Sequence, residues 1–75
     1  VKETSLSGAQ KEAIAEARRV AASRLAEREI LFRDAMQKPL EPAEREKAEE
    51  EYRVDRKRIE DDQDRAIESI RRGGR

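Results

Sequence analysis

Lys38-Pro39-Leu40-Glu41-Pro42 lies near the midpoint of a 75-residue chain, with strongly helix-forming residues for about thirty positions on either side. An interior proline removes a backbone donor and collides with the preceding turn, and the residue before it is pushed out of the helical region. A first helix therefore has to stop by Lys38. Pro42 acts in the opposite sense. Followed by Ala43-Glu44-Arg45-Glu46, it sits at the first helical position, where its fixed φ is favourable. Glu41 precedes it as a modest N-cap, and Glu44 places negative charge in the first turn. Pro39, Leu40 and Pro42 thus predict a turn over 38–41 between a helix over about 7–37 and a second over about 42–72. The expected fold is all-α, an antiparallel two-helix hairpin with a coiled-coil-like seam.

The apolar spacing on both arms agrees with that reading. Ile14, Leu25 and Met36 recur every eleven residues, Ala21 and Phe32 repeat the interval, and Ala17 flanks the stripe. On the second arm Ala48, Ile59 and Ile70 keep the same period, with Tyr52 and Gln63 as a second row and Asp55 and Ala66 as a third. Eleven residues complete three turns at about 3.67 per turn, so this hendecad pattern predicts a nearly straight or slightly right-handed seam. Arg28 and Asp55 fall on the two stripes, and folding at the turn brings them to the same level. As a seam ion pair they would fix a register that alanines specify weakly. The alternative is that Arg28 runs its stem along the seam and keeps its head in water. Val20, Leu31, Val54 and Ile67 widen the stripes at their edges and are the candidate partner-binding residues. A second hairpin covering them would make a homodimeric four-helix bundle. Ile30 falls on the opposite face, either as an isolated exposed residue or as part of a second contact surface.

Local signals mark the ends. Ser7 with Gln10 three residues on fits a capping box, and Gly73-Gly74 suits a C-cap, where glycine enters the left-handed region without steric cost. Residues 1–6 and 73–75 are expected to be a flexible lead-in and tail. Charges at helical spacing, Glu29 with Arg33, Glu49 with Arg53, Asp61 with Arg65 and Glu68 with Arg72, each favour helix by about 0.2–0.5 kcal/mol.

Composition restricts function more than it assigns it. Charged residues make up 48% of the chain, with one Phe, one Tyr and no Trp. Two helices alone enclose too little to offset an ordering entropy of about 1.5 kcal/mol per residue, so burial has to come from elsewhere. With no Cys and no His, disulfides, thiolate nucleophiles, Ser-His-Asp triads and His/Cys zinc sites are excluded. Gly8 opens a helix and Gly73-Gly74 follow one, so the three glycines form no phosphate loop. Glu60-Asp61-Asp62-Gln63-Asp64 lies inside a helix, where its carboxylates splay around the axis instead of converging on a cation. Neither an enzyme, a cofactor, a metal nor a small-molecule substrate is expected.

Lys and Arg balance Asp and Glu at 18 each, and Arg71, Arg72 and Arg75 complement a helix C-terminus, so nucleic acid is not an expected partner. No apolar run approaches a membrane span and no signal-peptide core is present, which leaves a soluble, cytoplasmic protein as the expectation.

In its length and its turn of Lys38, Pro39 and Pro42, the chain resembles the needle subunits of type III secretion systems, which implies a filament-forming structural role. Its charge density departs from that family, whose subunits need apolar outer surfaces. Pro42-Ala43-Glu44-Arg45-Glu46-Lys47-Ala48-Glu49-Glu50-Glu51-Tyr52 is similar to the second arm of the coiled-coil finger in bacterial zinc-finger regulators of RNA polymerase. That likeness implies a regulator inserting a tip with Asp34, Glu41 and Glu44 into a larger machine, although the zinc-binding cysteines are absent. Neither likeness assigns a family. The functional expectation is a non-enzymatic protein–protein interaction module that pairs with itself or with another helical protein.

Overall fold

The computed structural model describes residues 6–73; most of the lead-in, at 1–5, and the end of the tail, at 74–75, lie outside the described residues. Helix α1 spans Gly8–Met36 and helix α2 spans Pro42–Arg71. Each boundary has a visible chemical cause. Ser7 Oγ accepts the Gln10 N–H at 3.0 Å while Gln10 Oε1 accepts the Ser7 N–H at 2.8 Å, which satisfies two donors that a helix start leaves free. At the other end of α1 the Gln37 N–H reaches back to the Arg33 and Asp34 carbonyls, and the Lys38 N–H to that of Ala35. Pro39 then prevents continuation.

The chain re-enters helix at Pro42, with Glu44 Oε1 accepting the Glu41 N–H at 3.0 Å. Gly73 stops α2. It adopts φ +78° and donates its N–H to the Ile70 carbonyl at 3.0 Å, a conformation that costs a side-chain-bearing residue strain.

The two helices pack side by side as a hairpin 57 Å long and 16 Å across. They run antiparallel, because Phe32 stacks on Tyr52 near the turn while Gln10 Nε2 donates to the Ile70 carbonyl at the open end. Ile14, Ala21 and Ile59 are buried between them, and Leu25, Ala48 and Ile70 are half-buried. None of the described side chains is completely enclosed. This is the geometric consequence of two cylinders meeting along one line, since a helix pair can cover only the stripe at the contact.

Candidate interaction surface

The seam is layered along its length. At the open end stands Gln10 against the Ile70 carbonyl, then the buried Ile14, Ala21 and Ile59. In the hinge-side half Arg28 Nε lies 2.6 Å from Asp55 Oδ2. Their side chains keep 25% and 37% of their exposure, so the pair is neither desolvated nor free. One layer further, the Phe32 and Tyr52 rings stack 4.2 Å apart and 9° from parallel. The guanidinium carbons of Arg28 and Arg56 lie 5.9 and 5.7 Å from the Tyr52 ring centre, within the range of cation–π attraction. The hinge layer is closed by Met36, whose sulfur accepts from Arg45 Nη1 at 3.3 Å. Leu40 within the turn is half-buried, whereas Pro39 and Pro42 are exposed.

The edges differ from the sequence expectation in two places. Ala66, assigned to the seam, is exposed. Ala17, Ala21 and Ala66 present only methyl groups, too short to close the gap, and an open groove runs beside them, lined also by Val20, Arg24 and Ile59. Ile67 is half-buried and lines a different depression with Arg18, Glu68 and Arg71. The residue after Ala66 is turned about 100° around the helix, so Ile67 does not share a surface with Val20. Val20 and Val54 remain 45% exposed and Leu31 60% exposed. Ile30 is exposed to a similar degree on the far side of α1.

Outward charges pair mostly within their own helix. Arg33 bonds Glu29 at 2.6 Å and Arg72 bonds Glu68 at 3.2 Å, at the spacing read from the sequence. Arg53, however, takes Glu50 instead of Glu49, and Arg65 takes Asp62 instead of Asp61. A neighbouring acid one residue closer offers an i,i+3 contact that competes with i,i+4. Three of the four carboxylates of 60–64 are held in pairs at helical spacing, Glu60 with Arg56 at 3.6 Å, Asp61 with Lys57 at 3.5 Å and Asp62 with Arg65. Arg19, bonded to Glu16 at 2.6 Å, is held still more firmly in its protonated form by that hydrogen bond. Among the described residues no cluster of acids, His or Cys is arranged to hold a metal ion, and no helix is long and apolar enough to cross a membrane.

Two polar contacts between the helices are among those the sequence does not anticipate. Arg24 Nη1 lies 3.8 Å from Asp62 Oδ2 across the groove, and Gln10 bonds Ile70 with the end of its amide that the capping box leaves free. Both depend on register, which becomes readable only once Arg28 is set against Asp55.

The site and fold together define a helical hairpin with a half-open seam. No protein-family model, curated protein or solved structure matches the chain.

Proposed function

We propose that the chain is a non-enzymatic protein–protein interaction module, a helical hairpin that works by pairing with a second copy of itself in a four-helix assembly. The observation that carries this reading is the disproportion between what the hairpin buries and what it leaves in water. Two isoleucines and one alanine are buried, while Val20, Leu31 and Val54 are about half exposed or more. Fully burying a large aliphatic side chain contributes roughly 1.5–3 kcal/mol. Covering the exposed part of those three edge residues would therefore add roughly 2–4 kcal/mol of apolar burial to what the seam provides. A second copy suits the surface because the chain carries 18 positive and 18 negative side chains, so like copies meet without net repulsion.

Sedimentation equilibrium tests the proposal on the unmodified chain and on Leu31→Asp, whose side chain makes no part of the buried seam. The expected result is twice the chain mass for the former and, for the latter, a single-chain mass at concentrations where the unmodified chain is paired, with a lowered Tm. A single-chain mass for the unmodified protein at every concentration would remove the proposal.

A further inference from the structure

We infer that the two copies, if they pair as proposed above, do so with their proline hinges at the same end. In that arrangement α1 of each copy lies over α2 of the other, about a twofold axis parallel to the long axis of the hairpin. The inference rests on the self-pairing reading and adds to it an orientation and a set of contacts.

Phe32 on Tyr52, Arg28 with Asp55 and Arg24 beside Asp62 fix which residues of α1 and α2 stand at the same height. Continued at the same interval, that register puts Leu31 level with Val54, Glu27 level with Arg58 and Val20 level with Ala66. Successive steps of three or four residues keep these side chains on one side of each helix. Val20, Arg24 and Glu27 line a common depression on α1, and Val54 and Arg58 line one on α2. Read upward toward the hinge, the α1 edge is apolar, cationic, anionic, apolar. At the same heights the α2 edge is apolar, anionic, cationic, apolar.

A twofold axis along the hairpin preserves height and exchanges α1 with α2. Every level of one copy then meets its complement on the other: Leu31 on Val54, Glu27 on Arg58, Arg24 on Asp62, Val20 on Ala66. The opposite arrangement, with hinges at opposite ends, joins Val20 to Leu31 and Arg24 to Glu27 along α1 and Ala66 to Val54 and Asp62 to Arg58 along α2, but each of its charged contacts draws on Arg24 or Asp62, which already face each other within one copy. Glu27 and Arg58 strengthen the choice. Among the described residues neither meets an oppositely charged side chain within 4.0 Å, so both are free to pair across copies, where such charges set orientation more than affinity. The size is also adequate, since one long face of a body 57 by 16 Å is comparable with the ~800 Å² per partner of a standard interface.

Pyrene attached at Lys38→Cys, an exposed position beside the hinge, reports the orientation, read together with the sedimentation mass of the labelled and unlabelled chains. Twice the chain mass with excimer emission is the expected result. Twice the chain mass with monomer emission alone overturns the orientation and leaves self-pairing standing, whereas a single-chain mass overturns both. A charge exchange supplies an independent measurement. Glu27→Arg should weaken the dimer roughly five- to thirty-fold, because two symmetry-related contacts turn from attraction to repulsion. Adding Arg58→Glu should restore it. Restoration by Arg24→Glu and not by Arg58→Glu would show α1 lying on α1 and would overturn the inference.

Discussion

Arg28 and Asp55 sit where an ion pair has its most measurable effect, close enough for a 2.6 Å hydrogen bond yet retaining 25% and 37% of their exposure. Fully exposed pairs contribute about 0.2–1 kcal/mol, and breaking a buried pair costs about 3–5 kcal/mol. For Arg28→Ala the expected loss is therefore about 1 kcal/mol, read from urea unfolding, with a nonzero coupling in the double-mutant cycle with Asp55→Ala. A coupling of zero would place both side chains in water despite the geometry. Gln10 makes a sharper case, because one side chain caps α1 through Oε1 and holds the end of α2 through Nε2. Gln10→Glu keeps the acceptor for the Ser7 N–H but loses the donor and sets a carboxylate against the Ile70 carbonyl. It should cost about 0.5–1.5 kcal/mol and speed amide exchange at the open end while exchange near Tyr52 stays unchanged. Equal acceleration at both ends would show that Gln10 acts only through global stability. The capping box was legible in the sequence because Ser7 and Gln10 are neighbours. The reach to Ile70 was not, since no local pattern records which residue sixty positions away will arrive.

At the level of elements, the prolines and glycine do the punctuation that apolar spacing cannot. Lys38 to Pro42 was readable as a turn because proline's effect on the backbone is local and independent of packing. Ala66 was misplaced for the converse reason. Its position in the eleven-residue period puts it on the seam side, but a methyl group does not reach across the gap, and periodicity says nothing about reach. Ile67, one position on, shows how the same period assigns a residue to an edge without saying which edge. Removing both blocks by Pro39→Ala with Pro42→Ala should let helix continue through 37–41, since the flanking residues are good helix formers. Small-angle scattering should then show a body well beyond the 57 Å length of the hairpin, with helical content equal or higher. An unchanged length would mean that the seam, and not the prolines, determines the fold-back.

On the scale of the whole molecule, two helices of 29 and 30 residues share a core of Ile14, Ala21 and Ile59, and the low apolar content that forces this was visible in the composition. Which residues stay uncovered was only partly visible. The place of Val20, Leu31 and Val54 beside the stripe marks them as edges, whereas the open groove between alanines shows only in the packed helices. A hairpin stabilised chiefly by a second copy has a stability that depends on concentration, because association favours the folded chain by mass action. Thermal unfolding followed by far-UV circular dichroism over a hundredfold range of protein concentration is thus the most direct measurement. A self-paired hairpin shows a Tm that rises steadily with concentration, alongside a mass of two chains below the transition; a sharp transition at one temperature across the whole range, from a single-chain species, would rule self-pairing out.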